Sequence, residues 1–365
     1  MFGGVYAWAS AVSAAGMSGL LLWTRPQLLT RGWLGALDVS LVALLAGITF
    51  QLIPLPAAVV AVLSPAHAPY LQAASLQSDL PSLLPLTLGW RATVHALLAT
   101  FCSVGTFWAA RSIFDRGGVR TVVTALAWAA VVVVVIAFAQ ASTGTHLVYG
   151  FWRPFDAGAR PLGPFINRNH FGTWSLLVFF LCFGCLQWRR ATSPPSRGWH
   201  WRTRLAHALD GRSLILVLAL LMLAISIAVG ASRSTMLALA CGAGYVAGTA
   251  PRTHGRRGSW WTAALGLAVV LGTVAYADLD RLLSRIDETR QLGLSQRSAI
   301  WWDTVGVIRA FPLAGAGAGN FSAVMRVYQT SDRTYFWNEA HNQYLQVAAE
   351  GGLLLVIPSA IGLVA

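Results

Sequence analysis

The stretch TVVTALAWAAVVVVVIAFAQ, residues 121–140, holds twenty residues without one ionisable side chain. Wound as an α-helix at about 1.5 Å per residue it spans about 30 Å, the thickness of a bilayer's hydrocarbon core. Eight further apolar runs lie near 3–23, 33–53, 92–112, 170–188, 213–231, 234–250, 260–277 and 343–365. Composition agrees: of 365 residues 56% are hydrophobic and 11% charged, against about a quarter charged in a soluble domain. Length here counts spans rather than soluble domains.

The connections alternate in charge. Arg25 and Arg31 lie in the first and Arg116 and Arg120 in the third. Arg189, Arg190, Arg197, Arg202, Arg204 and Arg212 fill the fifth, and Arg252, Arg256 and Arg257 the seventh. Arginine-rich short loops stay in the cytoplasm, so the connections 54–91 and 141–169, the tight turn at Arg233 and the segment 278–342 face outward. The last carries seven arginines and seven carboxylates, and a loop of that length translocates largely regardless of charge. The net charge of +13 therefore reports membrane topology and not a nucleic-acid partner.

The expected fold is an all-α integral membrane protein. A polytopic helical bundle of about eight spans covers 1–277, a large outer loop with short surface helices covers 278–342, and a ninth span covers 343–365. The first run lacks a basic n-region and a cleavage site, which makes it a retained helix and not a signal peptide. An outward N-terminus and a ninth run reaching Ala365 lead to the expectation of one more helix in front and several behind. Within the outer loop, Trp301, Val305, Ile308 and Phe311 share a helical face, which predicts an amphipathic helix on the membrane surface.

Several patterns carry little chemistry. All 26 basic residues are arginine, which fits codon drift in a GC-rich genome. Cys182 and Cys185 form a C-x-x-C inside an apolar run with no second pair, the mark of packing residues rather than a metal site. Gly315-Ala316-Gly317-Ala318-Gly319 has no strand in front of it and reads as a flexible turn after Pro312. Asp278-Leu279-Asp280 resembles a metal-holding D-x-D, though short acidic pairs arise easily by chance.

The informative polar residues sit at span ends on the outer side. Arg233 lies in a turn of a few residues between two apolar runs. Arg297 opens the surface helix, and His341 precedes the last run. Together they form two fixed cations and one titratable base on one face of the membrane.

These residues lie in longer patterns that resemble the O-antigen ligase and polymerase superfamily of polytopic membrane glycosyltransferases. Ala340-His341-Asn342-Gln343-Tyr344-Leu345-Gln346 followed by Glu350-Gly351-Gly352 is similar to that family's AHNxxLQ…EGG signature. Arg297-x-x-x-Trp301 and Pro312-Leu313-x-Gly315-x-Gly317-x-Gly319-Asn320-Phe321 resemble the other half of its periplasmic loop. Gly163-Pro164-Phe165-Ile166-Asn167-Arg168-Asn169-His170-Phe171 resembles its NRNH segment, and the proline-rich Leu52–Pro65 stretch is a weaker likeness.

The resemblance implies an inverting, metal-independent transferase of the bacterial inner membrane that needs no cofactor and has its active site on the periplasmic side. Its donor would be a glycan on undecaprenyl diphosphate, and its acceptor lipid A–core or another surface glycan. His341, Arg297 and Arg233 would be catalytic; Arg168, His170 and Asn342 would contact substrate, with membrane lipids as surroundings. The family has about twelve spans, against nine runs here.

Chemistry agrees with that assignment. A diphosphate leaves without a general acid but requires positive charge where negative charge grows, which guanidinium groups supply. An attacking sugar hydroxyl must lose its proton, a task suited to histidine. A polymerase, whose acceptor is a second lipid-linked repeat unit, shares donor, leaving group and base. A lipid-linked glycan transporter would instead place charges in mid-span, where only Asp38 and His95 come close. A metal-dependent transferase would use Asp278 and Asp280.

Overall fold

A computed structural model describes residues 6–75, 81–144, 146–154, 159, 161–192, 210–230, 233–249, 294–330, 333 and 336–365. The chain divides into two compact units, Met1–Tyr6 with Phe114–Ser284, and Ala7–Ile113 with Arg285–Ala365. The apolar run 260–277 and the Asp278–Asp280 pair lie outside the described residues.

The second of these units contains α1 (Ala7–Thr24), α2 (Trp33–Leu52), β1 (Pro54–Pro56), α3 (Ala57–Leu63), α4 (His67–Ser75), β2 (Leu83–Pro85) and α5 (Trp90–Asp115). The first holds α6 (Val119–Ser142), α7 (Arg168–Thr192), α8 (Gly211–Gly230) and α9 (Arg233–Thr249). The chain then returns to the second unit with α10 (Leu294–Ala310), α11 (Phe321–Tyr328) and α12 (Gln343–Val364). Six helices among the described residues are long and apolar enough to cross a membrane: α2, α5, α6, α7, α8 and α12. The chain is an all-α, multi-pass integral membrane protein.

In the first unit, α6, α7 and α8 pack around one core. Small residues on α6, Ala127 and Ala130, are fully buried against Cys182, Leu216, Ala219 and Leu223. Where water supplies no driving force between helices, side chains this small let backbones approach and gain dispersion contact. Gln140, near the end of α6, fixes the following connection: its amide donates to Pro161 O at 2.9 Å and its carbonyl accepts from Tyr149 N at 3.1 Å.

The second unit is organised by a break in α12. Gly352 has φ 53° and ψ −155° inside the helix, so its ladder is interrupted at Ala349 and Glu350. The loop 312–319 takes over the lost bonds. Ala316 N donates to Ala349 O and Gly317 N to Glu350 O, each at 2.9 Å. In return Leu353 N donates to Pro312 O at 2.9 Å and Leu354 N to Leu313 O at 3.0 Å. Four helix groups that lipid could not satisfy are thus paired within the protein.

That loop is no flexible turn, which corrects the reading of its glycines. Ala314, Ala316 and Ala318 are buried. The Gln51 amide donates to Ala314 O at 2.7 Å and Glu350 O at 2.9 Å, and its carbonyl accepts from Ala318 N at 3.0 Å. On the other side Leu88 N reaches Ala316 O at 3.0 Å, and Thr93 Oγ1 reaches Ala318 O at 2.8 Å. The sequence shows three flexible residues; the fold shows that flexibility used to reach left-handed angles, φ +69° at Gly315 among them.

Helix α10 also differs from expectation in its buried side. Ile300, Thr304, Val307 and Phe311 are fully buried, a stripe rotated by about one residue from Trp301, Val305 and Ile308. Its core is shared with Phe321, Val324 and Met325 of α11 and Ala349 of α12. Trp301 is left at the edge, 37% exposed, where its indole N–H finds a partner.

Two predictions follow from this packing. A Cβ at Gly315 would overlap the Glu350 carbonyl in a left-handed backbone. Gly315→Ala is expected to cost at least about 2 kcal/mol from strain and overlap together, read as a lower thermal midpoint in detergent. Gly16→Ala, with nothing within 4 Å, should leave the midpoint unchanged or slightly raised. Burial holds the His67 imidazole below its ordinary value of 6.5, offset in part by a hydrogen bond to the Leu86 backbone. The unfolded chain therefore takes up the proton first, so stability is full above about pH 6.5 and declines as pH falls below it. His67→Gln should flatten that decline.

Candidate active site

In the second unit the site is built around Ala340, fully buried with both backbone groups held by side chains. Its N–H donates to Gln346 Oε1 at 3.2 Å, and its carbonyl accepts from Trp301 Nε1 at 3.0 Å. The next residue, His341, takes φ +50°, a left-handed conformation that costs a non-glycine residue ~1–2 kcal/mol. Asn342 then caps α12: its side-chain oxygen accepts from Tyr344 N at 3.1 Å and Leu345 N at 3.3 Å. The histidine is fixed from both sides while its side chain stays exposed. The edge of Trp337 limits its ring, with centroids 6.0 Å apart at 87°.

A single network connects this turn to the helix break. The Gln346 amide donates to Glu350 Oε1 at 3.2 Å. The Glu350 carboxylate also accepts from Gly319 N at 2.7 Å and Phe321 N at 3.2 Å. It thereby serves as a borrowed cap for α11, whose own Asn320 makes no side-chain cap bond. Asn320 is instead buried, donating to Thr87 Oγ1 at 2.9 Å and Thr93 Oγ1 at 3.0 Å.

Arg297 is exposed in the first turn of α10, one turn before Trp301 and on the same side. The indole bond to Ala340 therefore brings the Arg297 end of α10 to the His341 turn. Arg168 and His170 are in the first unit, both exposed at the start of α7. Asn167 caps that helix, accepting from Asn169 N at 2.8 Å, and Phe165, Phe171 and Trp174 pack behind it. Gly172 faces Thr235 so closely that an added Cβ would overlap its hydroxyl. The starts of α7 and α9 are thus side by side. Arg233 is the first residue of α9, and its side chain lies outside the described set.

Candidate residues thus collect at helix N-termini: Arg168 and His170 on α7, Arg233 on α9, and Asn342 as the cap of α12, with His341 just before it. Such ends present N–H groups and partial positive charge to anions. The roles of Trp301, Gln346 and Glu350 escaped sequence reasoning, although each lies in a motif the sequence displays. A polar residue at the i+4 spacing from Gln346 to Glu350 inside an apolar helix was the available signal.

This is a polytopic membrane protein whose last described span is broken and carries a strained histidine at its mouth. Residues 217–358 match the family model described as O-antigen ligase. The matched stretch includes Arg233, Arg297, His341 and the Glu350-Gly351-Gly352 break, but not Arg168 or His170. No curated protein and no solved structure matches the chain.

Trp301→Phe keeps the ring but removes the donor to a buried carbonyl. The expected cost is about 1–3 kcal/mol, with faster hydrogen exchange at the amides of residues 340–346 and unchanged exchange in α6.

Proposed function

We propose that this protein is an inverting glycosyltransferase of the ligase type. It transfers a glycan from undecaprenyl diphosphate to lipid A–core or another surface glycan, at the periplasmic side of the inner membrane. The observation that carries this reading is the His341 turn: a buried residue pinned at both backbone groups, a left-handed histidine, and a capped helix behind it. Strain of this kind persists only where surrounding structure over-determines it, and it gathers at functional sites.

In the reaction, an acceptor hydroxyl oxygen attacks the anomeric carbon of the donor sugar from the face opposite the diphosphate. His341 accepts the hydroxyl proton as the new glycosidic bond forms. The bond from the anomeric carbon to the diphosphate oxygen breaks, and the electron pair leaves with the diphosphate. One displacement inverts the anomeric centre. Arg297 and Arg233 carry the growing negative charge, and no metal is required. Arg168 and His170 hold donor or acceptor. Asn342 has its carbonyl oxygen committed to the cap, which leaves its NH2 as the group for substrate.

Polymerisation, with a second lipid-linked unit as acceptor, uses the same steps, and the family match covers both. Transport gains nothing from Asp38: it is fully buried and accepts from Thr30, Trp108 and Arg111. Those bonds make it a structural tie between α2 and α5.

Glycan transfer in membranes, at matched expression, tests the assignment. His341→Ala should lower transfer by ~10²–10⁴-fold, the worth of general-base help, while donor binding is retained. Arg297→Lys, which keeps charge but loses the planar fork, should lower it less. Chelator should change nothing. Undiminished transfer by His341→Ala overturns the mechanism.

A further inference from the structure

At the arginine-rich end of the first unit, α6, α7 and α8 enclose an open cleft of about 630 Å³. Thr124 and Trp128 of α6, Arg189 of α7, Asp210, and Arg212 and Ile215 of α8 line it. Its polar floor is preassembled: Arg189 pairs with Asp210 and donates to Ser213, and Asp210 caps the start of α8 through Ser213 N at 3.0 Å. That pair is electrically neutral. Arg212 is exposed at the rim, and Arg120, one turn before Thr124 on α6, lies over the Trp188 ring at 4.5 Å. Arg212 gives the lining one surplus positive charge, Arg120 adds a second just outside it, and Trp128 supplies an aromatic wall.

Depth decides what such a cleft can hold. With residues 121–140 spanning the hydrocarbon, Thr124 and Trp128 lie about 5 and 11 Å inside its edge at 1.5 Å per residue, so the cleft runs from the headgroups into the acyl region. Trp128 is 58% exposed, an aromatic face open to acyl chains. Beyond the cleft, exposed apolar side chains continue along both helices, Val132 and Val135 on α6 and Leu218 and Leu221 on α8. A charged mouth leading to apolar tracks fits a molecule with a phosphate at one end and acyl chains at the other. In the sequence the arginine-rich third and fifth connections adjoin this end, so by the charge rule it faces the cytoplasmic leaflet, where anionic lipid draws basic segments.

We propose that this cleft binds the phosphodiester headgroup of an anionic phospholipid of the cytoplasmic leaflet. Arg212 meets the phosphate with Arg120 close by, and Trp128 covers the first acyl carbons. A soluble phosphate shares the anion but not the chains, so it should bind far more weakly. The site is separate from the residues assigned to transfer and stands whether or not that assignment holds.

The test is lipid retention by native mass spectrometry of the purified protein in neutral detergent, supplied with equal phosphatidylglycerol and phosphatidylcholine. The wild type should retain phosphatidylglycerol in preference. Arg120→Gln with Arg212→Gln should lower that preference about 25-fold, from roughly fivefold for each arginine. Both residues are exposed and the Arg189–Asp210 pair is left in place, so the thermal midpoint in lipid-free detergent should hold. Arg309→Gln, an exposed arginine of α10, should change nothing, and excess glycerol 3-phosphate should displace no lipid. An unchanged preference in the double variant overturns the proposal. So does an equal loss in Arg309→Gln, which would mean unspecific charge attraction, or displacement by glycerol 3-phosphate, which would mean a free-anion site.

Discussion

A helix interrupted within a membrane leaves carbonyl and N–H groups that lipid cannot satisfy, each costing several kcal/mol if orphaned. The break at Glu350–Gly352 sets that constraint here, and the loop 312–319 meets it with two donors and two acceptors in register with the severed ladder. Much else in this unit serves the exchange. Gln51 closes it from α2, Thr87 and Thr93 hold its far side, and small residues let two backbones meet. A Cβ at Gly352 would lie 2.6 Å from the Leu313 backbone, so the contact is closed to larger side chains.

The break reaches the candidate chemistry through Glu350. Its carboxylate joins the loop, the start of α11 and Gln346, and Gln346 holds the N–H of Ala340. The strained angle at His341 is thus maintained by interactions that begin in the span. Buried polar networks of this kind are worthwhile only when fully satisfied, and the members of this one are. A general base so held, the role proposed for His341, would start close to its working geometry, which removes reorganisation from the barrier.

The spans were legible because the bilayer imposes a length and forbids charge; runs such as 121–140 and 213–231 became α6 and α8. The arginine and histidine motifs were legible as helix starts, since Asn167 and Asn342 are capping residues next to apolar runs. Three things were not. The buried stripe of α10 was misread by one residue because Trp301 looks apolar, yet its N–H needed a partner that the fold placed outside the core. Gly315 to Gly319 looked flexible because their partners lie some 35 residues later and, through Gln51, some 265 earlier. The tasks of Gln346 and Glu350 depend on a helix break that local propensity does not announce.

In the proposed mechanism the pinned left-handed turn presents His341 to the acceptor. A cryo-electron microscopy structure of the protein in lipid, with a non-hydrolysable donor analogue and a glycan acceptor bound, tests it most directly. That role requires an acceptor hydroxyl within about 2.6–3.2 Å of a His341 ring nitrogen, the diphosphate against Arg297, and Ala340 still held by Trp301 and Gln346. An acceptor bound away from His341, or a turn that has released Ala340 while substrate is in place, would contradict it.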